Sequence, residues 1–376
     1  MKKKIAILHP HFGWGGGEAV CVWIIHALKD KFDIDLIVTE KNVTIYKINQ
    51  FYETNFSDHD FNIINIFFPI KGYLLENHLV QRYFKNNSKK YDFAISTNNE
   101  MDFGKKGIQY IHYPILEKEK KNILKKLYKK FVFSLSKYQI KGMKNNLTLT
   151  NSLWTKRQIK RIYNLESKVL YPSLVDKFPL INREEKQEGF VCIGRITPVK
   201  ELEKVIEILS EVKKKFPSIT LDIIGYVEDK KYFKKIENIV NKKSDWIKIR
   251  TNLSRKEIKD SMIKFKYGIH GMKNEHFGIV ILEMIKAGII PFVANDGGQV
   301  EIVDNENLIY RDEEDAVKKI EKVLENNLLQ KEILIKLQEQ DNKFSKEVFI
   351  KQIKEMVNNF IIDKNKFKIN DIDYPR

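Results

Sequence analysis

The sequence predicts an α/β protein made of two doubly wound units, and three observations carry that expectation. Short apolar runs alternate along the chain with longer stretches of helical spacing, the pattern of parallel strands joined by crossover helices. At 376 residues the chain is too long for one ordinary core and suits two. A strand, a glycine-bearing loop and a helix open each half, at Ile5 and again at Gly189.

In the first half the expected strands are Ile5–Leu8, Ile34–Val38, Ile63–Phe67, Phe93–Ser96, Gln109–His112 and Leu147–Thr150. In the second they are Phe190–Gly194, Thr220–Gly225, Trp246–Arg250, Tyr267–His270 and Ile289–Ala294. The polar, charged segment from Val175 to Glu188 reads as the link. The expected domains are therefore 1–174 and 189–345, followed by an amphipathic stretch and tail over 346–376.

Three stretches carry chemistry. After the first strand, His9-Pro10-His11-Phe12-Gly13-Trp14-Gly15-Gly16-Gly17-Glu18 runs into an apolar helix, the layout of a turn that approaches a phosphate. Glu18 stands where a dinucleotide fingerprint has its third glycine, and no Gly-Lys-Ser/Thr follows, so neither that fingerprint nor a P-loop is present. In the second half, Gly194 ends a strand and is followed by Arg195 and Lys200. A guanidinium fork and an ammonium so placed both suit one diphosphate. Finally, Asn274-Glu275-His276-Phe277-Gly278-Ile279-Val280-Ile281-Leu282-Glu283 sets two carboxylates about the mouth of a helix. Backbone N–H groups near Phe277, Gly278, Ile279 and Val280 suit a phosphate there, and Glu283 falls about two turns beyond Glu275.

Together with Ile111-His112-Tyr113-Pro114, Asn151-Ser152-Leu153-Trp154-Thr155 and Tyr171-Pro172, these motifs resemble the family 4 retaining glycosyltransferases of the GT-B fold, in order from about residue 5 to 303. Within that family they are most similar to the mannosyltransferases that use GDP-mannose to extend lipid-linked oligosaccharides through α-1,2 bonds. The resemblance implies two Rossmann-like domains facing each other across a cleft, the first on the acceptor side and the second holding the nucleotide sugar, with the last helix crossing back to the first. It implies that Arg195 and Lys200 neutralise the leaving diphosphate, that Glu275 and His112 contact the transferred sugar, and that Glu283 accepts from the ribose hydroxyls. Gly16, Gly17 and Gly194 would line the donor site, and Glu18 would help bind the acceptor. A UDP-sugar donor with a polysaccharide or soluble acceptor is the alternative.

No metal or other cofactor is expected. Asp33-Ile34-Asp35 and Asp371-Ile372-Asp373 imitate a metal-binding pair, but the first opens a strand and the second lies in the tail. With only Cys21 and Cys192, neither a disulfide framework nor a zinc site is supported, and no signal peptide is legible, so a cytoplasmic setting is expected, at a membrane face if the acceptor is a lipid. The formal charge of +17 would suit nucleic acid, yet no nucleic-acid-binding module appears and no such partner is expected. Part of that charge is patterned around residues 118–142, where lysines interleave with Ile123, Leu127, Phe131 and Leu135 at helical spacing. Two readings of this segment stand, contact with an anionic membrane or packing on its own domain with a solvated lysine face.

Overall fold

The structure is a computed structural model of the chain and describes residues 2–13, 15–68, 72–115, 123–174, 178–179, 181–243 and 245–370. The chain divides into two compact units, Met1–Val175 with Phe344–Arg376, and Asp176–Lys343.

The first unit is built on seven parallel strands, β1 (Lys3–Leu8), β2 (Phe32–Val38), β3 (Asn62–Asn65), β4 (Phe93–Ser96), β5 (Ile108–Ile111), β6 (Leu147–Thr150) and β7 (Lys168–Val169), in the order β3-β2-β1-β4-β5-β6-β7. Ile5 to Leu8 are buried without exposed surface, as expected of a strand covered by helices on both faces. The order reverses between β1 and β4, so the loops leaving these two strands part to opposite sides and leave room at their carboxyl ends.

The helix Gly16–Leu28 is apolar on nearly every side, and residues Ala19 to Ile25 are all buried. Such a helix needs a second layer. The helix Lys346–Asn370 supplies it: Phe349, Ile353, Val357 and Phe360 recur at intervals of three and four and join the same core, while the Lys346 ammonium sits 4.3 Å from the centre of the Trp23 ring.

The second unit repeats the scheme with β8 (Gln187–Ile193), β9 (Thr220–Gly225), β10 (Ile247–Thr251), β11 (Phe265–His270), β12 (Ile290–Ala294) and β13 (Ile309–Tyr310), all parallel, in the order β10-β9-β8-β11-β12-β13. Its switch point lies between β8 and β11. The eleven expected strands are present, and the two-residue edge strands β7 and β13 are additions.

The segment read as a link differs. Its second half belongs to the second unit: Arg183 donates to Gln330 Oε1 at 2.9 Å and lies over the Tyr267 ring, and the buried Lys186 ammonium donates to the Ala287 carbonyl. Burial, with Arg183 nearby, lowers Lys186 to about 8. A charged composition suggested a solvated connection, but Arg183 and Lys186 each have a specific acceptor within the second unit.

Candidate functional site

In the second unit, β8 ends at Ile193 and a 3-10 turn, Pro198–Lys200, follows Gly194 and Arg195. This turn aims Lys200 across the carboxyl end of the sheet, and a Cβ on Gly194 would lie 3.1 Å from Lys200 Cε. The Lys200 ammonium lies 3.0 Å from Glu275 Oε2 and 3.1 Å from His270 Nε2. His270 is the last residue of β11, so the cluster sits at the switch point.

The tautomer of His270 follows from its neighbours. The Gln299 amide donates to the carbonyls of Met272, Ala294 and Asp296, which leaves its Oε1 to accept from His270 Nδ1 at 2.7 Å. Nε2 is then the unprotonated nitrogen and accepts from Lys200. Burial, reinforced by the Lys200 charge, lowers His270 to about 4. For Glu275 burial opposes ionisation, but the Lys200 ammonium and His270 outweigh it and hold the carboxyl down at about 2.

The backbone of Glu275 is fixed as closely as its side chain. Gly298 N donates to Glu275 O at 2.7 Å, and a Cβ on Gly297, which has φ +96°, would stand 2.4 Å from that oxygen. Only glycine fits there. Phe277 is buried, and Gly278, at φ +102°, turns the chain into the helix Ile279–Lys286. The N–H groups of Ile279 and Val280 thus belong to the first turn, where no intrahelical acceptor exists.

Two expected residues stand differently from their assigned tasks. Arg195 is half-exposed and pairs with Glu228 at 2.5 Å, so its charge is engaged outside the Lys200 cluster. Glu283 is buried on the helix and pairs with the Arg255 guanidinium.

In the first unit, Glu18 organises the glycine loop. Its Oε1 accepts from Gly13 N at 3.0 Å and its Oε2 from Gly15 N at 2.8 Å, and His9 Nε2 lies 3.4 Å away. Burial opposes both charges. Even so, the Cys21 sulfur and the Glu18 carboxylate push His9 up to about 10, and His9 and the backbone donors hold Glu18 at about 2. The Glu18 carboxylate is therefore committed to the loop, where the sequence had suggested an acceptor contact. Gly16 and Gly17 open the helix Gly16–Leu28, and a Cβ on Gly17 would be 3.7 Å from His112 Nε2.

His112 follows β5 and donates from Nε2 to the Thr97 carbonyl at 3.0 Å, and Thr97 Oγ1 also meets His9 Nδ1 at 2.8 Å. Thr97 thereby links the two histidines at the carboxyl ends of β1, β4 and β5. His9, His270 and Gln299 had no role assigned from sequence. The available signal was position alone: His270 closes a strand before a glycine, and Gln299 follows Gly297-Gly298.

Asp33 and Asp35 are structural. Asp35 is buried, accepts from Tyr91 at 2.8 Å and pairs with Lys4 at 3.1 Å, while Asp371 to Asp373 lie outside the described residues. Among the described residues no three His, Cys, Asp or Glu side chains are grouped to hold a metal ion, and no helix is long and apolar enough to cross a membrane. Cys21 and Cys192 are buried free thiols.

Residues 176–343 match the family model described as glycosyl transferases group 1. A Candida glabrata protein named GDP-Man:Man(3)GlcNAc(2)-PP-Dol alpha-1,2-mannosyltransferase is 28% identical over 52% of this chain and 44% of its own length. A human protein of the same name is 22% identical over 85% of this chain and 79% of its own. The chain spans less than half the length of several curated relatives that it matches. Among solved structures, Anabaena Alr3699/HepE in complex with UDP and glucose superposes with a TM-score of 0.70 over 95% of this chain and all of that one, at 14% identity. The chain thus has the α/β fold of the GT-B glycosyltransferases, and its second unit carries the match to the glycosyl transferases group 1 family model.

Proposed function

We propose that this protein is a retaining glycosyltransferase that moves a hexose, mannose from GDP-mannose, onto a polyisoprenyl-linked glycan and forms an α bond at the cytoplasmic face of a membrane. The observation that carries the reading is the Lys200–Glu275–His270 cluster at the switch point of the second unit, inside the segment that matches the family model. The names of the relatives support the donor and the acceptor class.

In this reading the acceptor hydroxyl oxygen attacks the anomeric carbon from the face that the diphosphate leaves. The bond to the phosphate oxygen breaks with its electron pair, and the acceptor's proton passes to a phosphate oxygen. No protein nucleophile is required. Lys200 meets the growing negative charge, a contribution that strengthens from ground state to transition state. Arg195 adds to it on exchanging Glu228 for phosphate. Glu275, held ionised, accepts from hydroxyls of the sugar, and the first turn at Gly278 to Val280 adds backbone donors. On the first unit His112 contacts the sugar, and Glu18 acts on the acceptor through the loop that it fixes.

The test is titration of the full chain with GDP-mannose, UDP-glucose and UDP-N-acetylglucosamine, followed by product analysis with a polyisoprenyl-diphosphate-linked glycan. Preferential GDP-mannose binding and an α-linked mannosyl product are expected. Selective binding of a UDP-sugar, with transfer to a soluble glycan, would replace both donor and acceptor.

A further inference from the structure

The helix Ile123–Leu135 has two apolar faces, and among the described residues one is buried within its unit while the other is exposed. Val132 is fully buried, and Phe133 packs on His78 and Tyr138. Turned away from Val132 is a stripe in which Ile123, Leu127 and Phe131 are 73%, 58% and 62% exposed. On a helical projection Leu127 and Phe131 stand about 40° and about 80° round from Ile123, Lys130 and Lys126 stand about 20° and about 60° to its other side, and Val132 is about 180° away. Lysine heads therefore border an outward apolar ridge, on a chain of net charge +17. A solvated lysine face would carry its apolar residues inward, and here three large ones point out.

We infer that this ridge is a docking surface for an anionic lipid bilayer, with Ile123, Leu127 and Phe131 entering the headgroup boundary and Lys126 and Lys130 pairing with lipid phosphates. Apolar insertion and charge attraction act together, and neither a neutral membrane nor a free anion satisfies both. The inference deepens the proposed function by naming the surface that would bring the enzyme to a lipid-borne acceptor. Binding is measured without donor or acceptor, so its failure and the failure of the transfer reaction are separate results.

The experiment is sedimentation of the full chain with vesicles of equimolar phosphatidylglycerol and phosphatidylcholine, and with phosphatidylcholine alone. Strong binding to the first, little to the second and loss with added salt are expected. Leu127→Ser with Phe131→Ser should abolish binding, and Lys126→Glu with Lys130→Glu should weaken it by about 25-fold or more, since each lysine contributes about fivefold. All four positions are exposed, and the thermal midpoint reports retained folding. Equal binding by the parent and both double variants would overturn the inference. So would a concentration-dependent dimer of the parent that Leu127→Ser with Phe131→Ser dissociates, because the ridge would then be a contact between copies.

Discussion

The Lys200 ammonium rests 3.1 Å from His270 Nε2, an imidazole whose other nitrogen is committed to Gln299 at 2.7 Å. A cation on a neutral ring nitrogen, with a carboxylate 3.0 Å away, is held in place without being fully neutralised by the ring. His270 is thus a positioning residue, and Gln299 positions it in turn through three carbonyl acceptors. Removing Gln299 would free the tautomer and with it the lone pair that Lys200 uses.

This arrangement ranks the two cations. Lys200→Ala should raise the barrier by about 3 kcal/mol, on the order of 100-fold in kcat, because it removes charge next to the leaving group. Arg195→Ala should cost on the order of 10-fold, since that guanidinium starts on Glu228 and exchanges partners. Steady-state kinetics on both variants decide the order, and equal losses would put Arg195 alongside Lys200 at the diphosphate.

The depressed pKa of His270 predicts an acid-side loss of stability with a definite sign. The folded group, at about 4, binds fewer protons than its unfolded form at 6.5, so its contribution is complete above 6.5 and falls as pH drops toward 4. Between pH 7 and pH 5 that loss should be about 2 kcal/mol. Glu275, at about 2 against 4.5, adds to it only below 4.5. His270→Gln should flatten the pH 7 to 5 segment of denaturant-unfolding curves followed at Trp246, which is buried in the second unit. An unchanged slope would mean that His270 takes up its proton in the fold as it does in the unfolded chain.

Deletion of residues 344–376 should destabilise the first unit. Phe349, Ile353, Val357 and Phe360 are each at least 97% buried, and side chains of this kind contribute roughly 2 kcal/mol apiece, about 8 kcal/mol as an upper value. Limited proteolysis should cut the shortened chain within the first unit while sparing the second. Equal resistance of both units would show that the last helix is dispensable.

If Lys200 and Arg195 meet the diphosphate charge directly, transfer should persist in excess EDTA and gain little from magnesium or manganese. Activity lost on chelation and restored by either ion would require a metal in the leaving-group step.

Much of this was legible because parallel strands buried on both faces leave uninterrupted apolar runs, such as Ile5 to Leu8 and Phe190 to Ile193. The edge strands β7 and β13 leave no such trace, being two residues long. Lys200 and Glu275 were legible as chemistry at strand and helix ends. His270 and Gln299 were not, since their roles arise only when β11 and the loop after β12 meet. Charges engaged at long range mislead in the same way. Lys186 reads as linker until its acceptor, Ala287, is found 101 residues on, and Glu18 reads as a ligand contact until Gly13 and Gly15 are seen to use it.

Glu283 poses the sharpest test, because its spacing from Glu275 suggests a ribose contact while the fold buries it against Arg255. If it holds the ribose, the contact is alike in ground and transition states, so Glu283→Ala should weaken donor binding about 10-fold and leave kcat within about threefold. Arg255→Ala should act on stability instead, by about 2 kcal/mol, a figure set below that of a fully buried pair because Arg255 is 45% exposed at its side chain. Glu283→Gln keeps the shape and one acceptor oxygen and should fall between the parent and Glu283→Ala in donor affinity. Calorimetric titration with GDP-mannose, beside thermal unfolding of the same samples, separates the two effects. Donor affinity unchanged in Glu283→Ala, with stability lost, would make the residue an anchor for Arg255 and move the ribose contact elsewhere on the second unit.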